Sequence, residues 1–457
     1  MLPQEFLDRM KKLLKESFDA FLTAVEDGKA VRGLRINTLK CERENFLANN
    51  SLPLRKVPYT ELGFILNSDE SIGANPEHHA GRIYMQDPGA MAPLSAIEIR
   101  KGARVVDLCA APGGKSGQAA EMIGDEGFIL SNEFVPKRAK ILVGNLERLG
   151  VRNAIVTSMD TGRLADLFSE YFDCAIVDAP CSGEGMFRKN DGAAIEEWSE
   201  GGVRASAERQ REILDNAARL VKEDGYIIYS TCTYSTEENE ETIDSFLSRH
   251  PEFSPVCPSE KILNSTAGPI TTEENEERVK YCRRFYPHIS EGEGQFLAIL
   301  YKNQSVLTTK VCKDSSKPLS KAEKDIVNEF FKSTLKAIPN GRAVKHGENL
   351  VLLPDSIPLV PENSVFMAGV LIGEIQKGRL IPAHQFFSAY GEFFKTRIEL
   401  SKDETALASY LAGEEISAPD GLETGWCVLT YKNSSLGGGK IAGGRIKNHY
   451  PKGLRNR

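Results

Sequence analysis

The sequence predicts an α/β protein built on an open, doubly wound sheet, with a small mixed α/β domain before that core and a separate domain after it. Three observations carry this expectation. A chain of 457 residues exceeds what one hydrophobic core usually organises, so two or three domains are expected. Between Ala103 and Lys302, short β-branched runs alternate with amphipathic stretches, the pattern of a parallel sheet with crossover helices. At the N-terminus the apolar residues recur at helical spacing instead.

Taken in order, Phe6, Leu7, Met10, Leu13, Leu14, Phe18, Phe21, Leu22 and Val25 fall three and four residues apart and predict helix across residues 4–25. They open an N-terminal domain assigned to residues 1–85. The core, residues 86–302, reads as strands at 104–108, 127–132, 154–157, 174–178, 225–230 and 295–301, with helices at 115–123, 136–149, 205–221 and 237–249. Residues 303–321, polar, rich in Ser and Lys and containing Pro318, read as a linker. Short apolar runs resume over residues 322–457, assigned to a C-terminal domain.

Composition excludes several classes of function. At 41% hydrophobic and 26% charged residues the chain is neither disordered nor membrane-spanning. The longest apolar run, Phe366 to Gly373, falls far short of the roughly 20 residues that cross a bilayer. Lys11, Lys12, Glu16 and Asp19 interrupt any signal-peptide pattern, so a cytoplasmic location is expected. Nine cysteines without a CxxC pair predict free thiols in a reducing compartment and no metal site. A net charge of −7 argues against a protein that coats nucleic acid indiscriminately, while leaving room for a local basic groove. From Gly437 onward Lys440, Arg445, Lys447, Lys452, Arg455 and Arg457 occur with no acidic residue, either as a solvated tail or as a phosphate-contacting surface.

The strongest local signal is VVDLCAAPGGKS, Val105 to Ser116, where a strand ends in a glycine-rich turn that opens a helix. Such a turn lets a ligand approach the backbone and offers it a helix N-terminus. A phosphate loop is excluded because it needs a glycine five positions before Gly114, where Cys109 stands. The dinucleotide fingerprint fails as well, since Asp107, Cys109 and Ala111 occupy its glycine positions, so another adenosine-containing ligand fits better. Glu133 follows the second strand, where doubly wound folds place a carboxylate against ribose hydroxyls. Asp160 and Asp178 end the third and fourth strand regions, so three carboxylates line the carboxyl edge of the sheet, where open α/β sheets bind ligands. In DAPCSGEGMFRK, Cys181 stands three residues after Asp178, and in YSTCT, Cys232 lies just beyond the next strand. Taken singly these cysteines read as small buried residues. Delivered together to one sheet edge among these motifs, they read as reactive groups.

The motifs DLCAAPGGKS, SNEFVPKR, VDAPCSGEGMFRK and STCTYSTEENE, in this order, resemble the Nol/Nop/Sun family of RNA cytosine-5 methyltransferases. LRINTLK at Leu34 to Lys40 and YMQDPGAMAP at Tyr84 to Pro93 are similar to its N-terminal motifs, so the resemblance spans about Arg35 to Tyr301. GEGMFRKN, Gly183 to Asn190, and the closing NHYPKGLR look most like the branch acting on bacterial 16S ribosomal RNA. The resemblance implies a Rossmann-like methyltransferase core that binds S-adenosylmethionine. It implies contacts from Cys109, Ala110, Ala111, Pro112, Gly113, Gly114 and Lys115 through the loop, from Glu133 to the ribose, from Asp160 near the adenine and from Arg138 at a further position. Asp178 would lie between cofactor and base, Cys232 would be the nucleophile, and Cys181 would assist product release. The C-terminal domain would be a PUA-like RNA-binding module.

That chemistry explains the residue types. Carbon 5 of cytosine is too weak a nucleophile to accept a methyl group until a thiolate adds at carbon 6. Protonation at ring nitrogen 3, assigned to Asp178, relieves the charge; after methylation the proton on carbon 5 leaves and the Cys232 adduct collapses with help from Cys181. A thiolate calls for a partly exposed, electropositive setting, with Lys115 and Lys189 as the nearby motif lysines. The base would be presented from a loop or flipped, with Arg188, Lys189 and the basic C-terminal segment as candidates to hold flanking phosphates. The expected function is S-adenosylmethionine-dependent methylation of cytosine carbon 5 in 16S ribosomal RNA through a cysteine adduct. A transfer RNA substrate and a non-catalytic ribosome assembly factor stay open as alternatives. A DNA cytosine methyltransferase would use Cys181 as nucleophile, and the intact STCT motif speaks against it. The expected partners are ribosomal RNA and the 30S subunit, with no metal and no membrane, and the chain is expected to be a monomer.

Overall fold

A computed structural model describes residues 2–26, 29–69, 71–189, 192–355, 357–358 and 360–456; Asn190 and Arg457, named above, lie outside them. The central sheet contains β1 (Arg104–Asp107), β2 (Phe128–Asn132), β3 (Ala154–Thr157), β4 (Phe172–Asp178), β5 (Val221–Thr231) and β6 (Gln295–Lys302). They lie in the order β3-β2-β1-β4-β5-β6, the first five parallel and β6 antiparallel to β5. The strand order reverses between β1 and β4, the point where doubly wound sheets bind their ligands.

The strands are apolar on both faces because helices cover both. Val106, Leu130, Val177 and Tyr229 pack on one side with α3 (Thr161–Leu167), α4 (Glu200–Leu220) and α5 (Glu240–Arg249), through Leu164, Leu214 and Phe246. Val105, Ile129, Val156 and Ile228 pack on the other with α1 (Gly114–Ile123) and α2 (Pro136–Leu149), through Ile123, Leu142 and Leu146. Neighbouring positions on a strand thus feed opposite layers, as the pleat requires. Local chemistry sets the helix ends: Pro136 stands in the first turn of α2, and Gly150 closes it with a left-handed φ of 77°. Ser199 caps α4 by accepting from Gly202 N–H.

The N-terminal helical stretch is broken at Lys15, giving helices Gln4–Leu14 and Phe18–Glu26. Phe6, Met10, Phe21 and Val25 pack against Phe187, Tyr234 and Tyr286 of the core. An antiparallel sheet of four strands, Leu54–Lys56, Gly63–Leu66, Gly33–Ile36 and Ile83–Met85, has its own apolar cluster around Leu34, Ile36 and Phe46.

Beyond β6 the chain keeps contact with the core. Ser169 bridges to Lys310 within the 303–321 segment, and Lys317–Pro318 pairs with Arg342–His346 in a five-stranded antiparallel sheet. Strand Val365–Ala368 crosses back and extends the central sheet, antiparallel to β3. A second five-stranded sheet, including Gly425–Tyr431 and Ser434–Ala442, closes the chain. It docks on the N-terminal domain through charge: Arg82, 1% exposed, donates to Glu77 at 2.6 Å and to the Lys432 carbonyl at 2.9 Å. Lys432 Nζ returns to the other Glu77 oxygen at 2.7 Å. Among the described residues no helix is long and apolar enough to cross a membrane, and no group of ligating side chains could hold a metal ion.

Candidate active site

β1 delivers Asp107 to the carboxyl edge of the sheet, and the chain then turns through Cys109–Gly113 into α1. Gly113 has a φ of +115°, and a Cβ on Gly114 would stand 3.0 Å from the Tyr84 ring. The turn therefore needs both glycines, one for its backbone angle and one for its close neighbour. Asp107 is fully buried and accepts from Ser116 Oγ at 2.7 Å, and Ser131 Oγ supports that hydroxyl at 2.9 Å. Burial pushes its pKa up to about 7. Among the described residues its second oxygen, Oδ1, has no hydrogen-bond partner. Burial also raises the Cys109 thiol well above its ordinary range, so it stays protonated.

At the end of β2, Glu133 is 3% exposed and accepts from Val135 N–H at 3.0 Å. Among the described residues its other oxygen makes no hydrogen bond, and Arg138 Nη1 stands 3.4 Å from it. Arg138 donates to the Ala111 carbonyl at 3.1 Å and so ties this carboxylate to the loop. Asp160 lies at the same edge but is exposed and caps α3, accepting from Gly162 and Arg163 N–H at 2.9 and 3.2 Å.

Adjacent parallel strands bring the sulfur chemistry together. Asp178 of β4 is in register with Ser230 of β5, so the segments leaving the two strands emerge side by side. Cys181 Sγ and Cys232 Sγ stand 3.3 Å apart, both half-buried. The hydrogen bond with Cys232, then burial, holds the Cys181 thiol well above its ordinary range, so it keeps its proton at neutral pH. Asp178 accepts from Ser230 Oγ and from Lys115 Nζ, each at 2.8 Å. Lys115 is 6% exposed, so its ammonium is held by this carboxylate rather than by water.

A cavity of about 240 Å³ joins these groups. Cys109–Pro112, Gly114, Lys115, Asp178 and Cys232 line it, with Gln86, Asp87, Lys189 and Glu293 across from them. Gly113, Glu133, Arg138, Asp160 and Cys181 are not part of this lining. Lys189 sits at the rim, 30% exposed and 3.8 Å from Asp87. Arg188 does not fit the phosphate-contacting expectation: it is buried, donates to Glu293 at 2.6 Å and to the Gly292 carbonyl at 2.8 Å, and has no free face. Sequence reasoning also passed over Asp107, Asp87 and Glu293 as site groups. An aspartate before Pro88 was readable as a helix cap, and Asp87 does accept from Gly89 N–H at 2.9 Å; Glu293 carries no local signal.

Comparison with known proteins gives these features a family. The ribosomal RNA small subunit methyltransferase F of Vibrio atlanticus is 31% identical to the chain, over 99% of this chain and 97% of that protein. The chain belongs to the RsmB/F family of 16S rRNA methyltransferases. The RsmB/F profile matches residues 94–301, that of the RsmF N-terminal domain residues 2–88, that of the first RsmF C-terminal domain residues 329–389, and that of the RsmF PUA domain residues 395–456. The enzyme of the same name from Vibrio parahaemolyticus is 30% identical over 99% of this chain and 97% of that one. A methyltransferase homologue of Pyrococcus horikoshii, of known structure, is 28% identical with a TM-score of 0.58, covering 66% of this chain and 95% of that one. NSun6 of the same organism, solved with the S-adenosylmethionine analogue SFG, shares the fold at 22% identity and a TM-score of 0.57, covering 66% and 99%. RsmB/F proteins are S-adenosylmethionine-dependent, so the expected Rossmann-like methyltransferase core, PUA-type domain and cofactor all stand. The residues present fit that cofactor: two buried carboxylate oxygens, Asp107 Oδ1 and Glu133 Oε2, lack hydrogen-bonding partners beside a glycine turn that admits a ligand to the backbone.

Proposed function

We propose that this RsmB/F chain methylates carbon 5 of a cytosine in 16S ribosomal RNA, in the cytoplasm, through a covalent adduct with Cys232. The observation that carries the proposal is the pair of thiols 3.3 Å apart, beside an Asp178–Lys115 pair that shares a cavity with Cys232. Bound S-adenosylmethionine supplies an electrophilic methyl group. Cys109–Lys115, Glu133 and Arg138 would hold it, with Asp160 at the adenine end of the same edge.

Cys232, partly exposed at the cavity wall, is placed to attack carbon 6 of a base entering beside Asp178. Asp178, fixed through both oxygens by Ser230 and Lys115, is placed to hold the proton that ring nitrogen 3 requires as the ring gains electron density. Lys115 offsets the carboxylate charge and can pass it a proton along the 2.8 Å contact. As the adduct collapses, the Cys232 sulfur departs with the electrons of its bond to carbon 6 and the carbon 5 proton must leave. Cys181, protonated and hydrogen-bonded to Cys232, is placed to give its proton to that sulfur and to take up the carbon 5 proton in return, while ring nitrogen 3 gives its proton back to Asp178.

The same reading takes residues 1–85, 86–302 and 322–457 as N-terminal, catalytic and RNA-binding domains joined through 303–321. The whole acts as a monomer on ribosomal RNA or the 30S subunit. Lys189 and the cationic C-terminal segment are the phosphate contacts of choice, since Arg188 is occupied. The test is transfer of labelled methyl from S-adenosylmethionine to naked 16S RNA, 30S subunits and transfer RNA by the wild type, Cys232→Ala and Cys181→Ala. Expected are 5-methylcytosine in ribosomal RNA, none with Cys232→Ala, and a trapped protein–RNA complex with Cys181→Ala. Full activity of Cys232→Ala would overturn the mechanism, and labelling of transfer RNA alone would overturn the substrate.

A further inference from the structure

Behind the two thiols lie two buried glutamates that the chemistry above does not use. Glu184 leaves the segment carrying Cys181 and crosses to the one carrying Cys232. It accepts from Thr233 Oγ1 and Tyr234 N–H at 2.9 Å each, and from Trp198 Nε1 at 3.0 Å. Glu238 follows Cys232 and crosses the opposite way, accepting from Ser182 N–H at 2.9 Å, from Ser182 Oγ, and from Gln210 Nε2 at 2.8 Å. The Ser182 and Thr233 hydroxyls lie 2.8 Å apart between the two carboxylates, and Gly185 N–H donates to the Cys232 carbonyl at 2.9 Å.

Glu184 is 3% exposed and Glu238 is fully buried. Burying two carboxylates in one neighbourhood is unfavourable, and burial pushes Glu238 up to about 7 and Glu184 above its ordinary range. The compensation lies in the partners. Each carboxylate accepts two N–H donors, and the Ser182 and Thr233 hydroxyls relay between them, so that one proton held on Glu238 completes the chain Glu238–Ser182–Thr233–Glu184.

We propose that Glu184 and Glu238 are positioning residues: a crossed carboxylate clamp that fixes the Cys181 and Cys232 segments in the register that puts their thiols face to face. Glu238 governs the Cys181 side, because it holds Ser182; Glu184 governs the Cys232 side, because it holds Thr233 and Tyr234. The proposal rests on the two-cysteine reading above, so its test has one arm that needs neither RNA nor cofactor.

In that arm, diamide oxidises the two thiols to a disulfide, itself taking up the two electrons and two protons, and mass spectrometry follows the Cys181–Cys232 peptide pair. Glu238→Gln and Glu184→Gln should each slow closure by about tenfold or more, the factor that corresponds to about 1.4 kcal/mol of lost positioning. In the second arm the variants are incubated with 16S RNA and S-adenosylmethionine. Glu238→Gln should accumulate covalent protein–RNA complex where the wild type releases it, because release is impaired, whereas Glu184→Gln combined with Cys181→Ala should form less of it than Cys181→Ala alone, because attack is impaired. A generally loosened fold would push both variants the same way. Ser182→Ala keeps the backbone donor and should give the Glu238→Gln effects in milder form, which covers a glutamate variant that fails to fold. Wild-type closure rates in folded variants would overturn the clamp. Slowed closure with no adduct in any protein, Cys181→Ala included, would overturn the two-cysteine reading and leave the clamp standing.

Discussion

Asp107 offers a stability measurement that reads the buried edge of the site directly. Its carboxyl is fully buried, and burial raises its pKa from the usual 3.8 to about 7 against the favourable Ser116 hydrogen bond. The unfolded chain releases this proton near pH 4 and the folded protein only near pH 7, so the folded state holds more protons across that window. Stability therefore falls as pH rises from about 4 to about 7 and levels off above it. A rise of this size corresponds to at most about 4 kcal/mol, and about 2 kcal/mol is a fair expectation once relaxation around the ionised group is allowed for. Asp107→Asn keeps an acceptor for Ser116 and cannot ionise. Urea unfolding of the cofactor-free protein should give matching midpoints for variant and wild type at pH 4, and a more stable variant at pH 8. Equal pH dependence of the two proteins would refute the reasoning, because it would mean that Asp107 does not carry this burial penalty.

Two further perturbations follow from the packing. A Cβ at Gly185 would lie 2.9 Å from the Gly294 carbonyl oxygen and 3.0 Å from that of Cys232, so Gly185→Ala must displace backbone beside the nucleophile. It should lower methyl transfer at least tenfold while lowering stability by only about 1–3 kcal/mol, checked by steady-state rates and thermal melting; unchanged turnover would contradict the assigned position of Cys232. Glu77→Gln leaves Arg82 and Lys432 without their shared carboxylate at the joint between the N-terminal domain and the last sheet. Removing one member of a buried ion pair should destabilise by about 3–5 kcal/mol, with earlier proteolytic cleavage near Lys432, and wild-type resistance would show that the joint does not depend on this charge.

Much of the core was legible because its signals are local. All six core strands lie where β-branched runs and turn residues place them, and the strand order puts the ends of β1, β4 and β5 side by side, which is why Lys115, Asp178, Cys181 and Cys232 meet. What was missed is short or long-range. α3 spans seven residues around Gly162, too few for a period to stand out, and only its Asp160 cap marks it. β5 begins at Val221 rather than 225 because α4 runs into it with no intervening loop residues. The return of Val365–Ala368 to the central sheet depends on β3 being an open edge, which no window of sequence displays. At the site, Arg188 stands in a motif that reads as substrate-facing, yet Glu293, more than a hundred residues on, turns it inward. The crossed contacts of Glu184 and Glu238 are likewise tertiary, although both residues lie inside legible motifs.

The central claim is that Cys232 attacks the base, and the most direct measurement is to trap that bond. 16S RNA carrying 5-fluorocytidine in place of cytidine can accept the thiol and the methyl group but has no proton on carbon 5 to lose, so the adduct persists. After nuclease and protease digestion, mass spectrometry should find the modified nucleotide on the peptide containing Cys232, in the wild type and in Cys181→Ala alike, and should find no adduct with Cys232→Ala. An adduct on Cys181, or continued methyl transfer without any adduct on Cys232, would contradict the account.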